Sequence, residues 1–528
     1  MAFLFFSSLA AMAQETAVSG VITNSETKEP MIGVNVSVKG TVLGTVTNGK
    51  GEFSLSTRSV PPFTLSISFV GFKTQEVEVT GNKTTFNIDL EEQSIMANEV
   101  VISASRVEES VLQSPVTVEK LDSRAVRETP AANFFDALAN VKGVDLNTQS
   151  LTFRSVNMRG FNANGQVRVV QMVDGMDSQA PGLNFSVGNI IGVSDIDLES
   201  VEILPGAASA LYGPNALNGI VLMNSKSPFQ FQGLSAQAKV GVMHVDNRQR
   251  DASPYYDFSL RYAKAWNNKI AVKFNISYLT AKDWQAQDYR DQSTSTNTSG
   301  EVSINADGTR TNNLNYNGIN IYGDENSGGT SLPIGAGGAG VRVSRTGYEE
   351  TNLVNYNANN LKGNFALHYR LNDKAEFIYQ FNAGTGSTVY TGADRYNIRD
   401  FVIIQNKLEL RGDNFFVRAY STAENSGNSY AAGFLANLIN EAWKPSATWY
   451  QEYAGAYLGG APGVIPSNDA AARGFADRNR PAPGSPEFEA FKEEIINVPI
   501  GLGQGGRPLG GSKFQDKTKM YHTEAMYN

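Results

Sequence analysis

Few residues in this 528-residue chain are of the kinds that carry covalent chemistry. There is no cysteine, which removes thiol nucleophiles, thiolate metal sites and disulfides. The three histidines, His244, His368 and His522, stand too far apart in sequence to suggest a ligand cluster. Asp195-Ile-Asp197-Leu-Glu199 lacks the spacing of a calcium loop. Gly335-Ala-Gly337-Gly338-Ala-Gly340 fits G-x-G-x-x-G, but no strand–helix unit surrounds it, so it reads as a loop and not a nucleotide site. No Ser/His/Asp or paired-carboxylate arrangement has support beyond composition. The expectation is a protein that is not an enzyme and needs neither cofactor nor metal.

What remains is recognition chemistry. Asn98-Glu99-Val100-Val101-Ile102-Ser103-Ala104 is an extended, β-branched run. A short mobile strand of this kind can add to the sheet edge of a partner and bond through its main chain. Trp443, Trp449, Tyr450 and Tyr453 fall in a long polar connection and are candidate ligand contacts, because aromatic faces stack on sugar or peptide groups; a packed loop core is the alternative. Arg154 and Arg159 are candidates for pairing with acidic groups elsewhere in the fold. A net charge of −8 argues against a nucleic-acid partner, which needs concentrated Lys and Arg.

These residues have to be positioned by elements that the sequence marks out in order. Ala2 to Ala11 is short and apolar and Ala11-Met12-Ala13 is a small-x-small site, so residues 1–13 read as an export signal, although no Lys or Arg precedes the apolar stretch. Residues 14–92 alternate with period 2 over Val18–Thr23, Gly33–Lys39, Glu52–Ser56, Thr64–Phe69, Gln75–Val79 and Thr85–Leu90, separated by turns such as Asn48-Gly49, which predicts a small β-sandwich. Residues 93–106 read as a linker. Residues 107–228 mix strands (Pro115–Leu121, Arg168–Val173 with its Asp174-Gly175 turn, Ile196–Leu204) with a helix capped near Asn133. From 229 to 528 the texture is of strands with one apolar and one polar face: Tyr256, Phe258, Leu260 and Tyr262 alternate with Asp257, Ser259 and Arg261, and similar runs recur near 270–278, 364–370, 376–381 and 404–411. The turns at 266–269, 371–374 and 411–414 are tight, whereas the connections at roughly 284–352 and 424–520 are long, polar and without evident structure, an alternation typical of outer-membrane barrels. A mean hydropathy of −0.27 excludes a helical membrane protein but not such a barrel.

Three segments carry a resemblance. Gly20-Val-Ile-Thr, Pro30-Met-Ile-Gly-Val-Asn-Val-Ser-Val-Lys-Gly-Thr41, Gly44-Thr-Val-Thr-Asn-Gly-Lys-Gly-Glu-Phe53 and Ser68-Phe-Val-Gly-Phe72 resemble the carboxypeptidase-regulatory-like domain, which commonly has Asp where Asn48 stands. Glu99, Val100, Val101, Ile102, Ser103 and Ala104 resemble the Ton box by residues and position. Val201-Glu202 followed by Gly206, Ser209-Ala210-Leu211-Tyr212-Gly213, Ala216 and Gly219-Ile220 resembles the signature of the plug domain of TonB-dependent outer-membrane receptors, with Arg159-Gly160 and Asp174-Gly175 among the matching plug elements upstream. The family often has Arg or Lys where Pro205 stands, which puts one contact with the barrel in doubt.

The resemblance implies a mainly β protein: a periplasmic sandwich, a Ton box, an α+β plug and a partial transmembrane antiparallel β-barrel in the outer membrane. It implies import of a nutrient (glycan, peptide or metal chelate) by energised remodelling of the plug, with TonB and its inner-membrane energising complex as partner, outer-membrane lipid around the barrel, and a surface substrate-binding lipoprotein as a further candidate partner. The alternative is an outer-membrane binding or adhesion protein without active transport. The residues after 228 are too few for the family's barrel of about 22 strands, and Tyr527-Asn528 is not the apolar strand with a terminal aromatic usual in the family, so a truncated sequence is expected.

Overall fold

The computed structural model describes residues 16–41, 43–57, 59–69, 72–92, 100–101, 106, 109–110, 116–130, 132–161, 164, 168–244, 250–296, 302–304, 307–323, 329–392, 394–502 and 508–527. The expected export signal, residues 1–13, lies outside them. The chain divides into two compact units, the first comprising residues up to Val101 with Glu109–Ser114, the second Ile102–Glu108 with Pro115–Asn528.

The first unit is a β-sandwich. One sheet orders Glu52–Thr57, Thr16–Asn24 and Lys83–Leu90; the other orders Gly44–Val46, Asn35–Val38, Phe63–Ser68 and Gln75–Val79. Thr16–Asn24 alternates buried and less buried positions along its length, and its inward residues Val18 and Ile22 meet Val36, Leu65 and Ile67 in the core. Asn48 serves the turn as Asp would: its Oδ1 accepts the amides of Lys50 at 2.9 Å and Glu52 at 3.0 Å. Val100–Val101 pairs antiparallel with Glu109–Ser110.

The second unit holds a middle domain and a wall. The middle domain is a five-stranded sheet in the order Glu119–Asp122, Leu198–Pro205, Gly219–Ser225, Val169–Val173, Met176–Asp177. Every residue of Val169–Val173 is buried, as befits a strand covered on both faces. Helix Ser123–Glu128 is capped by Asp122, and Phe134–Ala137 by Asn133, whose side chain accepts the Phe135 amide at 3.0 Å. Phe134, Phe135 and Leu138 pack on Val156, Val201 and Val221 to form the core.

The wall is an antiparallel sheet whose strands follow chain order: Gly233–Met243, Ser253–Trp266, Ile270–Lys282, Asn357–Asn372, Ala375–Thr391, Arg395–Gly412, Phe415–Asn425 and Lys519–Tyr527. The sheet is open, its first and last strands pairing with one neighbour each. Its polarity is inverted relative to a soluble sheet. Phe258, Tyr262, Phe274, Ile276, Phe365 and Leu408 are exposed on one face, while Arg261, Lys273, Asn275, Gln380, Lys407 and Glu409 are buried on the other. Apolar outside and polar inside is what a lipid-facing strand requires. Asn267 and Asn268, at φ 49° and 50°, lie in the three-residue turn 267–269 that joins the second and third strands.

The connection at 424–520 departs from the expected structureless loop. It contains four helices, Ala432–Trp443, Ser446–Tyr457, Asp469–Ala476 and Pro486–Asn497. Two carry ordinary start signals: Asn468 accepts the Ala471 amide at 2.9 Å, and Ser485 accepts the Phe488 amide with Pro486 in the first turn. The helices pack on the other long connection. Tyr348 meets Phe488, with ring centroids 5.1 Å apart, and Arg345 bonds Ser446 at 2.9 Å. Trp449 and Tyr453 are 0% exposed and Tyr450 6%. Their rings stack and cross at 5.1–5.3 Å, with the Arg473 guanidinium over Trp449. The two connections thus make one lobe with its own core. Trp449→Ala is expected to cost the lobe about 3–5 kcal/mol. Limited proteolysis should then show faster cleavage within residues 426–518 and unchanged protection of the wall strands.

Candidate functional site

The middle domain lies against the polar face of the wall, and the contacts between them form the candidate site. They are hydrogen bonds and ion pairs, together with an apolar patch in which Phe153, Ala180, Ile190 and Ile191 of the middle domain meet Tyr390, Ile398, Phe401 and Ile403 of the wall.

The Asp174-Gly175 turn is the densest point. Asp174 and Gly175 take φ 47° and 80°, which aims the turn out of the sheet and at the wall. The Asp174 carboxylate accepts the Ser225 amide at 2.8 Å, the Ser225 hydroxyl at 2.7 Å and Gln380 Nε2 of the wall at 2.7 Å. Burial opposes its ionisation, but the charges of Lys273 and Lys407 and the bonds from Ser225 outweigh this and hold its carboxyl below the ordinary value. The carbonyl of Asp174 accepts Lys407 Nζ at 2.8 Å, and that of Gly175 accepts Arg418 at 3.1 Å. A Cβ at Gly175 would stand 2.0 Å from an Arg418 guanidinium nitrogen, so the approach needs glycine.

From there a chain of charges runs along the wall. Lys407 pairs with Glu409 at 3.0 Å, Arg418 with Glu409 at 2.8 Å and with Glu524 at 2.9 Å, and Arg106 with Glu524 at 2.7 Å. Arg106 also donates to the Leu211 carbonyl at 2.9 Å, and its guanidinium lies 4.9 Å from the Tyr212 ring and 5.3 Å from that of Phe416. One side chain, five residues after Val101, therefore holds both the helix Ser209–Tyr212 and the wall.

A second anchor is Asp197, which bonds Arg261 at 2.6 Å and Lys273 at 3.1 Å, all three side chains being 2–3% exposed. Asp195 pairs with Lys239 at 2.5 Å. Near the long connections, Thr388 bonds Ser150 and Thr152 at 2.7 and 2.8 Å, and Asp283 accepts the Leu151 amide at 2.9 Å.

The residues singled out from sequence fall as follows. Gly160, Gly206, Gly213 and Gly219 all take positive φ within the middle domain. Arg159 donates to the Pro205 carbonyl at 2.9 Å and lies over Gly206; among the described residues no ion pair joins it to the wall, because its own φ of 59° folds it back on its domain. Arg154 bonds Asp136 of the same domain, and its charge also acts on Asp283. Val100 and Val101 are in the short pairing with Ser110 and Glu109, while Glu99, Ile102, Ser103 and Ala104 lie outside the described residues. The ligand-contact role expected of Trp449, Tyr450 and Tyr453 gives way to a structural one, since their rings are consumed in the lobe core; Trp443 is half-buried, with Lys444 Nζ 4.8 Å from its ring centroid. Sequence reasoning missed Arg106, Asp195, Asp197 and Arg418. The only local signal was a buried-type strand, Leu198–Pro205, preceded by carboxylates that no local cation balances.

Comparison with known proteins bears on this arrangement. Residues 18–102 match the CarboxypepD_reg-like domain and residues 110–220 the TonB-dependent Receptor Plug Domain. The chain is 27% identical over 366 residues to the TonB-dependent receptor SusC of Bacteroides thetaiotaomicron, covering 68% of this chain and 35% of that protein. It is 30% identical over 149 residues to the vitamin B12 transporter BtuB of Vibrio vulnificus, covering 27% of this chain and 23% of that one. The siderophore receptor PirA of Acinetobacter baumannii aligns with a TM-score of 0.36 at 14% identity, over 60% of this chain and 41% of the other. The chain thus spans about a third of the length of the first of these relatives.

Two measurements test the site. Arg106→Ala removes two charge-assisted bonds, together worth about 1–3 kcal/mol at this partly exposed position. Hydrogen exchange of the peptide spanning 100–110 is expected to speed up about tenfold or more, with the middle-domain core unchanged. Asp177 is half-buried, and its desolvation raises its carboxyl to about 6 against the opposing Gln179 amide and His522 charge. The folded state then holds this proton more tightly than the unfolded one. Its contribution to stability falls as pH rises from about 4 to 6 and is flat above. In denaturation from pH 4 to 8, Asp177→Asn is expected to flatten that part of the slope.

Proposed function

We propose, for a chain that belongs to the TonB-dependent receptors, that it works in the import of a nutrient across the outer membrane by energised remodelling of the domain seated against the wall. The observation that carries this reading is the chemistry of the seat. A domain held by burial of apolar surface would expose that surface on moving. This one is held, beside one apolar patch around Ile190 and Phe401, by bonds from Asp174, Gly175, Asp197 and Arg106 to Gln380, Lys407, Arg418, Arg261 and Glu524, groups that water can take over one at a time. Such an interface is firm at rest and separable under load.

Glu99, Val100, Val101, Ile102, Ser103 and Ala104 serve as the Ton box. The main chain of Val100–Val101 is spent on Glu109–Ser110, so it has to be released before it can add to the sheet edge of TonB. Arg106 is the next fixed point along the chain. Tension that passes it falls on Glu524 and on the helix Ser209–Tyr212, and thence on the charge chain that ends at the Asp174-Gly175 turn. Gly160, Gly206, Gly213 and Gly219 supply the tight turns of the plug, and TonB is driven by its inner-membrane energising complex. The lobe built from the two long connections faces outward by the alternation of short and long turns, and is the side on which a glycan, peptide or metal chelate, or a substrate-binding surface lipoprotein, is met. No covalent step is assigned to any residue.

Proline at 101 removes a strand donor. Val101→Pro is expected to abolish uptake while substrate binding to intact cells is retained. Uptake at the wild-type rate would exclude the Ton box assignment, and uptake that is indifferent to deletion of TonB would favour a binding or adhesion protein.

A further inference from the structure

The wall strands Phe415–Asn425 and Lys519–Tyr527 pair antiparallel, with Ala423 opposite Lys519 and Ser421 opposite Tyr521. Tyr420, Thr422 and Glu424 are buried on the side of the middle domain, so the alternate positions face outward. On that outward face Val417 is 48% and Tyr521 78% exposed. Phe415–Asn425 has 11 residues, and about 9–11 residues of tilted strand cross the hydrocarbon of a bilayer. Asn425 therefore stands at headgroup level. The ladder runs on past the strand end: the Glu424 amide donates to the Thr518 carbonyl at 2.9 Å and the Ser426 amide to the Asp516 carbonyl at 3.0 Å, which keeps Asn425 beside Lys517. A crevice of about 240 Å³ opens there, lined by Asn425, Ser426, Asn428, Lys513, Gln515 and Lys517. Gln515, Lys517 and Lys519 are exposed, while the Asp516 carboxylate between them is turned to the other side, toward Gly182 of the middle domain. Lys513 Nζ donates to Asn428 Oδ1 at 3.4 Å, and Asn428 Nδ2 to the Asp400 carboxylate at 3.0 Å. Among the described residues, no carboxylate is in ion-pair range of Lys513, Lys517 or Lys519.

The crevice thus presents two ammonium groups and three side-chain amides, with no carboxylate in its lining. Lysine holds phosphate as a point charge, and amides add hydrogen-bond donors beside it. The volume is below the roughly 300–1,000 Å³ that encloses a whole small molecule, so the crevice suits one polar group of a larger ligand. Directly toward the membrane from it, the outward positions Ala423, Ala419 and Val417, with Tyr521 alongside, give apolar surface for the remainder. Cations above and hydrocarbon-facing side chains below match an amphiphile with an anionic head. We propose that this crevice binds the phosphate headgroup of a membrane lipid, whose acyl chain lies along the outward face of Phe415–Asn425. Lys519, next on the same face, adds a third positive charge. The inner side of the same segments meets the middle domain, where Glu424 Oε1 accepts the Gly182 amide at 2.7 Å. A lipid in the crevice braces from outside the strand pair that the middle domain touches from inside. The proposal rests on the lipid-facing side of the wall and holds whether or not the protein transports.

The test uses the full chain in dodecyl maltoside micelles doped with dioleoylphosphatidic acid, with dioleoylglycerol as the lipid that lacks phosphate and inorganic phosphate as the head without a chain. Hydrogen exchange of peptides spanning 425–428 and 513–519 is expected to slow by about tenfold with the phosphatidic acid and to stay unchanged with dioleoylglycerol. The combined variant Lys513→Gln, Lys517→Gln is expected to weaken saturable binding of the phosphatidic acid by about tenfold or more. Lys282→Gln removes an exposed lysine at the end of another wall strand on the same rim and is expected to leave binding as it was. Equal losses in the two variants would show a general attraction of charges and overturn the site. Protection by dioleoylglycerol as strong as by the phosphatidic acid removes the role of phosphate, and protection by inorganic phosphate as strong as by the lipid removes the role of the membrane; either result overturns the proposal. The comparison of additives on wild type needs no variant and so stands if a substitution prevents folding.

Discussion

The polar face of the wall is the constraint from which the rest follows. A sheet whose outer face meets hydrocarbon must satisfy every main-chain group internally and turn its polar side chains inward. Those inward groups, among them Arg261, Lys273 and Lys407, are then cut off from bulk water and need partners. The middle domain supplies them. Asp197 takes two wall cations at once, and the Asp174-Gly175 turn offers a carboxylate and two carbonyls to Gln380, Lys407 and Arg418. Breaking a buried pair of this kind by removing one partner leaves a stranded charge, at a cost of about 3–5 kcal/mol. Wall and middle domain are therefore each other's electrostatic complement, and neither face is stable dry without the other.

Positioning within the middle domain serves this complement. The turn at 174–175 projects because two consecutive residues take positive φ at the end of a fully buried strand. Asp195 and Asp197 are presented at the start of Leu198–Pro205, where the strand leaves the core for the wall. Glycine at 175 removes the side chain that would hold Arg418 away. Pro205 stands where the family often carries a cation, and its carbonyl receives Arg159 from the same domain. The cations on Glu409 and Glu524 come instead from Lys407 and Arg418 on the wall itself and from Arg106 ahead of the plug.

Legibility in the sequence follows the range of the interactions. The sandwich strands and several wall strands were readable because period-2 alternation is local. So were the Asn133 cap and the Asp174-Gly175 turn, each decided within a few residues. The anchors were not. Asp197 looks like one of several scattered carboxylates until Arg261 and Lys273, 64 and 76 residues away, are brought to it, and Arg106 finds Glu524 across 418 residues. The helices of 432–497 were legible in principle from Asn468 and Ser485-Pro486, but glycine, proline and polar residues between them suggested an unstructured loop. Trp449, Tyr450 and Tyr453 stayed open between a binding surface and a loop core, and three aromatics at helical spacing have a core of their own to fill.

The lobe has a mechanical side. Its two halves spring from the ends of Ile270–Lys282 and Phe415–Asn425, with three further strands between them. Arg345 to Ser446, Arg473 to Ser344, Arg480 to Gly347 and Lys492 to Asn352 are crosslinks at 2.7–2.9 Å between those halves. The lobe is thus a tie bar across one rim of a curved sheet. Bending the sheet at that rim would shear a packed aromatic core, whereas the opposite rim, closed by turns of two or three residues, has no such brace. The stiffness of the wall is accordingly graded along its strands, rigid at the lobe and compliant at the end with the short turns.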